Sequence, residues 1–340
     1  MSYTIAFNFK DGVTRFIDCE YGETVAVAAY RQRINIPLGC CNGECSTCKS
    51  FCESGNFRSG PYLTEALSSE EAKQGYCLPC QMYPETDCVI RIATTSDNCG
   101  TRASEFSGEV IASKLISEST IGLSLRVRRE ECAAFLPGQY VNLQVPGTLA
   151  TRSYSFSSRP DESVATFLIR NIPGGLMASY LVDKARPGDL ILCSGPFGGF
   201  YLREISRPIL MLAGGTGLAP FLSMLGHLAK AGSVHPIHLV YGVTSDADLV
   251  EVETLTSFAQ AMTNFTFTTC VANLDSNHPH RGYVTQHVHL DDLHDGEFDV
   301  YLCGPPPMVK AARAFFRASN ITPVSFYYEK FTPSAGMHDL

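Results

Sequence analysis

The sequence predicts a multidomain protein of mixed class: a small α+β unit, an antiparallel β-barrel and a doubly wound parallel α/β domain. Three observations carry the prediction. A cysteine-rich loop sits among short strands and a helix near the start, the middle is a run of short strands broken by glycine and proline, and the last third alternates apolar strands with helices. The 340 residues, 45% hydrophobic and 18% charged, are enough for two or three cores.

Each element follows from a local pattern. Tyr3, Ile5, Phe7 and Phe9 alternate with polar residues and predict an opening strand, so the chain starts in a strand and not in an export signal. Lys10-Asp11-Gly12 predicts a hairpin turn, with a second strand through Val13, Arg15 and Ile17. "GETVAVAAYRQR" then reads as a short helix leading to the cysteine loop, and the polar "TTSDNCGTRAS" as a linker. From Phe106 to Leu202 come "FSGEVIASKLI", "IGLSLRVRR", "QYVNLQVPG", "RSYSFSS", "ATFLIRN" and "DLILCSGPFG", the barrel pattern. After Pro208, "ILMLAG", "IHLVYGV", "FTFTTCV" and "DVYLCG" alternate with helical segments, the pattern of a parallel sheet. No internal repeat or low-complexity tract interrupts this order.

Composition excludes several partners. Acidic residues outnumber basic ones, 34 to 26, and the net charge of −8 would repel nucleic acid or an anionic membrane. The uncharged stretch between Arg207 and Lys230 is interrupted by "AGGTGLAP", which predicts a buried strand, a tight loop and a helix in place of a membrane span. Fourteen cysteines without an export signal point to metal or redox chemistry in the cytoplasm.

The loop "GCCNGECSTCKSFC" admits two ligand registers. Starting at Cys40 it reads CxxxxCxxC, three ligands of a plant-type [2Fe–2S] site that needs a distant fourth; starting at Cys41 it reads CxxxCxxC, the spacing of a three-cysteine [4Fe–4S] site. Zinc is a third occupant for the same thiolates.

Here the chain resembles the plant-type ferredoxins, whose CxxGxCxxC loop is matched by Cys40, Gly43, Cys45 and Cys48. The resemblance implies Cys80 as the fourth ligand, with Cys77 its rival and Cys41, Cys52, Cys77 and Cys88 as bystanders. Gly43 would let the loop's N–H groups turn toward the sulfides. Ser46 departs from the glycine or alanine of many relatives.

Downstream, "RSYS" resembles the flavin motif of the ferredoxin–NADP reductase superfamily, implying that Arg152, Ser153, Tyr154 and Ser155 face FAD, with Ile169 and Arg170 on the next strand. "PGGLMASYL" resembles that superfamily's pyrophosphate turn. Ala178 occupies the hydroxyl position, leaving backbone N–H groups from Gly175, Leu176, Met177 and Ala178 as donors. "AGGTGLAP" resembles the nicotinamide loop, through Gly214, Gly215, Thr216 and Gly217, and "CGPPPM" the later strand end, through Cys303, Gly304 and Pro305. Asp246 and Asp248 would favour NADH over NADPH, since a carboxylate suits a free ribose hydroxyl and repels a phosphate. Glu329 and Phe331 resemble the closing strand beside the flavin, and residues 332–340 read as a frayed tail. His278, His280, His287 and His289 read as structural, the last two at exposed strand spacing, and no GxSxG suggests a hydrolase.

In this order the modules resemble the reductase component of aromatic-ring dioxygenase systems of the benzoate, toluate and anthranilate group. That resemblance implies a β-grasp ferredoxin domain over 1–97, a linker over 98–105, a Greek-key flavin barrel over 106–203 and a nicotinamide domain over 207–340. It also implies electron flow from NADH through FAD and a [2Fe–2S] cluster to a terminal oxygenase of Rieske type. A reductase for a di-iron monooxygenase shares the domain order, and a zinc- or cluster-bound dinucleotide sensor is the non-enzymatic alternative.

Overall fold

A computed structural model describes residues 2–32, 34–100, 104–128 and 134–331. The chain divides into two compact units, one of Met1–Arg102 with Gly198–Phe200 and Ser325–Tyr328, the other of Ala103–Phe197, Tyr201–Val324 and Glu329–Leu340. The tail at 332–340 lies outside the described residues, as do linker positions 101–103.

In the first unit β1 (Ser2–Asn8), β2 (Thr14–Glu20), α1 (Val25–Arg31), β3 (Ser50–Ser54), β4 (Phe57–Ser59), α2 (Ser69–Gln74), β5 (Tyr76–Cys77), β6 (Met82–Pro84), β7 (Cys88–Arg91) and α3 (Ser96–Gly100) follow one another. The main sheet has the order β2-β1-β7-β3-β5, with β1 antiparallel to β2 and parallel to β7, so the first and last strands of this unit meet within the sheet. This is the β-grasp arrangement, with Val25, Ala28 and Ala29 of α1 buried against Ile5, Phe7 and Ile90. Thr24 starts α1 by accepting from the Val27 N–H, a cap that contributes about 1 kcal/mol. The linker reading is corrected here. Ser96–Gly100 forms a helix whose Cys99 is fully buried in this unit's core, and the next strand already begins at Ser104. The polar surface of "TTSDN" conceals that one apolar anchor.

The second unit opens with β8 (Ser104–Ser117), β9 (Thr120–Arg126), β10 (Tyr140–Gln144), β11 (Thr151–Ser155), β12 (Val164–Arg170), α4 (Leu176–Ser179) and β13 (Leu190–Phe197). Its strands pair antiparallel in the order β11-β10-β13-β8-β9-β12, a Greek-key order, and a bridge between Phe156 and Phe167 joins the edges into a barrel. Then come β14 (Ile209–Gly214), α5 (Ala219–Ala231), β15 (Ile237–Val243), α6 (Val252–Ala261), β16 (Phe265–Val271), β17 (Asp299–Gly304) and α7 (Pro306–Ala318), while β18 (Ser325–Lys330) is divided between the units after Tyr328. Within this unit the sheet order is β16-β15-β14-β17, and the direction of winding reverses between β14 and β17. The long uncharged stretch resolves into β14, a tight turn and α5; among the described residues no helix is long and apolar enough to cross a membrane.

Candidate functional site

The cysteine loop runs between α1 and β3 and gathers four thiols in two pairs. Cys48 and Cys80 stand with sulfurs 3.4 Å apart, and the Cys40 and Cys45 thiols share a hydrogen bond. Backbone N–H groups close around them: Glu44 donates to the Cys40 sulfur at 3.2 Å, Cys40 to the Cys45 sulfur at 3.4 Å, and Gly43 to Cys80. Within each pair one thiol is made the more acidic. Donation from Cys45 draws the Cys40 thiol down to about 5 against the opposing effect of burial, and donation from Cys48 lowers Cys80. The donors Cys45 and Cys48 are correspondingly raised.

The cradle suits a two-iron cluster. Thr47 has a buried hydroxyl without an oxygen or nitrogen partner, and it interacts with the Cys45 thiol. Two pairs of thiols, Cys40 with Cys45 and Cys48 with Cys80, suit two irons. The rival cysteines point elsewhere. Cys41 is exposed at φ +57° with its sulfur toward the Gly39 carbonyl, and Cys77 is fully buried with its sulfur toward the Ser50 carbonyl. Gly43 has a second reason for being glycine. At φ +77° a Cβ would stand 2.5 Å from the Pro61 carbonyl oxygen, so chain packing as well as the N–H direction demands it. The Ser46 hydroxyl is satisfied by the Ala66 carbonyl at 3.2 Å.

On β11, alternation puts Arg152 and Tyr154 on one face and Ser153 and Ser155 on the other. Arg152 donates to the Thr151 carbonyl at 2.8 Å, Ser153 to Asn142 at 2.7 Å, and burial pushes the Tyr154 phenol up. Ser155 is buried and donates to Glu329 at 3.1 Å. Part of Glu329 remains open to solvent, yet protein atoms crowd the carboxyl. This crowding pushes it up to about 7, with the Ser155 hydrogen bond opposing. Cys303, fully buried at the end of β17, feels the same carboxylate, and burial first and that charge second raise its thiol. Phe331 donates its N–H to the Gly304 carbonyl at 3.0 Å, tying the chain after Glu329 to the end of β17.

Ile169 is 1% exposed in the barrel core, so only its backbone can face a ligand; its neighbour Arg170 is exposed. Met177 and Ala178 likewise bury their side chains in the barrel core. Gly175 starts α4 with no side-chain cap, which leaves the N–H groups of Leu176, Met177 and Ala178 at a helix entrance suited to phosphate.

Gly214, Gly215, Thr216 and Gly217 form the turn from β14 into α5, at the reversal point where open α/β sheets bind dinucleotides. A Cβ on Gly217 would stand 2.4 Å from the Cys303 carbonyl oxygen, so this glycine permits the turn after β14 to pass close against the end of β17. Pro305 starts α7 directly after Gly304. Asp246 follows β15, exposed, and accepts from buried Ser276 at 2.8 Å. Asp248 is engaged by Ser245 and by a short hydrogen bond from Ser119, which leaves Asp246 as the acid facing outward.

Sequence reasoning missed Thr47, Ser119 and Ser276. No spacing rule singles out a lone hydroxyl, and each acquires its role from a residue distant in the chain or from a buried thiol. The histidines His287 and His289 do not lie on a strand. His278 bonds Thr269, His287 bonds the Arg281 carbonyl, and a short 3₁₀ turn at Val284–Gln286 precedes His287.

A thiol cradle on a β-grasp unit, with a flavin barrel and a nicotinamide sheet downstream, defines an NAD-dependent iron–sulfur flavoprotein oxidoreductase. Residues 8–85 match the 2Fe-2S iron-sulfur cluster binding domain, 107–201 the oxidoreductase FAD-binding domain and 211–314 the oxidoreductase NAD-binding domain. The chain is 54% identical to the toluate 1,2-dioxygenase electron transfer component of Pseudomonas putida, over 98% of its own length and 100% of that protein. It is 47% identical to the 2-halobenzoate 1,2-dioxygenase electron transfer component of Burkholderia cepacia, over 99% and 100%. Among solved structures it resembles the Amycolatopsis cytochrome P450 reductase, with a TM-score of 0.66 at 31% identity over 97% of this chain and 99% of that one. The chain belongs to the family of dioxygenase electron transfer components.

Proposed function

We propose that this protein passes electrons from NADH through FAD and a [2Fe–2S] cluster to the terminal oxygenase of an aromatic-ring dioxygenase system of the benzoate, toluate and anthranilate type. The observation that carries the reading is the gathering of Cys40, Cys45, Cys48 and Cys80 into two thiol pairs in a chain that also carries a flavin barrel and a nicotinamide sheet. When bound, a flavin takes a hydride as two electrons and an iron–sulfur cluster takes electrons singly, which matches the donor to a one-electron acceptor.

The protein's own residues position and tune. The four cysteines hold the irons, and the N–H groups of Gly43 and Glu44 stabilise the thiolate charge. Arg152 and the N–H groups at the start of α4 would hold the flavin pyrophosphate, and Tyr154 would supply an aromatic face to its ring system. Glu329 holds or yields a proton at a carboxyl oxygen one hydrogen bond from Ser155. Cys303 supplies a dry wall behind that carboxyl. The turn through Gly214–Gly217, with Gly304 and Pro305, takes the dinucleotide, and Asp246 takes its ribose hydroxyl. The thiol-rich chain suits the cytoplasm, and a Rieske-type oxygenase is the partner.

The test is reconstitution of the holoprotein with NADH and either a Rieske dioxygenase or a di-iron hydroxylase. Aromatic diol formed in step with NADH consumption is expected with the first. Turnover with only the second would reassign the partner, and a preparation whose visible absorption NADH does not bleach would remove the enzyme reading altogether.

A further inference from the structure

Two cysteines outside the cradle, Cys52 and Cys88, meet within the first unit. Cys52 on β3 pairs with Ile90 of β7, and a bulge follows before Ser54 pairs with Val89. Residues two apart on a strand share a face, so Cys88 turns to the same side as Ile90 and Cys52. Residues 54–56 then fold across both thiols. The Cys52 sulfur reaches the Ser54 carbonyl at 3.2 Å, and the Cys88 sulfur reaches the Thr86 and Asn56 carbonyls at 3.3 and 3.6 Å. Between them Gly55, at φ +100°, lies so close that a Cβ would stand 2.6 Å from the Cys88 sulfur. The two thiols interact directly.

Their surroundings differ in the way a reactive pair requires. Cys88 is 2% exposed, while Cys52 keeps part of its surface open. Donation from Cys88 draws the Cys52 thiol below its ordinary value against the opposing effect of burial, so the accessible member is the better nucleophile. The third thiol nearby, Cys77, is fully buried and held toward the Ser50 carbonyl.

We propose that Cys52 and Cys88 form a reversible dithiol–disulfide pair, a second redox site separate from the iron-binding thiols, oxidised by small-molecule disulfides. The Cys52 thiolate attacks one sulfur of the small disulfide, forming a mixed disulfide and releasing one thiolate. Cys88 gives its proton to that thiolate and attacks the Cys52 sulfur, which expels the second small thiol. In sum, two cysteines lose two electrons and two protons, and one small disulfide becomes two thiols. The new bond would tie β3, just beyond Cys48, to β7 and close a loop that contains Cys80.

The experiment uses the cluster-loaded protein under anaerobic conditions, titrated with oxidised and reduced glutathione, alkylated and digested without reduction, with visible absorption followed throughout. The expected result is a peptide joining Cys52 to Cys88, reversed by reduced glutathione, while the cluster absorption is unchanged. The joined peptide should vanish in Cys52→Ser and persist in Cys77→Ser. Separate alkylation of Cys52 and Cys88 at every glutathione ratio would overturn the proposal, as would a stable glutathione adduct on Cys52 or a link from Cys52 to Cys77 or to an iron-binding cysteine. Should a variant fail to fold, the peptide map of the unaltered chain decides the matter.

Discussion

Cys40 and Cys41 are adjacent, but backbone N–H groups from Asn42 and Glu44 surround only the Cys40 sulfur, while Cys41 turns to the surface at φ +57°. Cys40→Ser is therefore expected to abolish the visible iron–sulfur absorption and lower the iron content, and Cys41→Ser to leave both in place. Glu329 carries a prediction in pH. Its carboxyl, pushed up to about 7 by burial, is protonated below that value and accepts from Ser155 above it. NADH-dependent ferricyanide reduction should show an inflection near neutrality that Glu329→Gln removes; an unchanged profile would separate this acid from the reaction. At Asp246, loss of the proposed charge-assisted hydrogen bond to the ribose would cost about 1.5–3 kcal/mol, so Asp246→Ala should raise the KM for NADH roughly 10- to 100-fold and narrow the gap to NADPH. The residue types were readable from spacing and resemblance. The partners were not: Ser276, which orients Asp246 from 30 positions away, is supplied by folding.

Elements were readable where the period was strong. The alternation of β1 buries Ile5 and Phe7, and the apolar run of β14 is buried from Ile209 to Ala213, as a central parallel strand should be. Short irregular elements were not readable. Ser96–Gly100 looked like a linker because four of its five residues are polar or glycine, yet the buried Cys99 carbonyl accepts from Asn35 at 2.9 Å and fixes the helix to the unit. The turn between β14 and α5 supports a prediction of its own. Gly217→Ala places a methyl group against the Cys303 carbonyl, so the turn after β14 must move away from β17, at a cost of about 1–3 kcal/mol. NADH binding should weaken in this variant while the flavin content, which depends on the barrel, is kept; titration with NADH and flavin absorbance measure the two separately.

For the whole molecule, the barrel and the parallel sheet form one compact unit and the β-grasp another that also takes Gly198–Phe200 and Ser325–Tyr328. A fragment from Ser104 onward should bind FAD and reduce ferricyanide with NADH, but lack iron and pass no electrons to an oxygenase; absence of flavin from a folded fragment would contradict this division. By itself, the sequence determined the domain order and the cofactor classes, because strand period, glycine turns and the spacing of Cys40, Cys45 and Cys48 are local properties of a chain; Cys80 came from the family resemblance alone. Tertiary structure decided which thiols pair, that Glu329 meets Ser155 across 174 positions, and that Cys52 meets Cys88. Those contacts depend on strand register and on burial, which arise only when distant segments pack together.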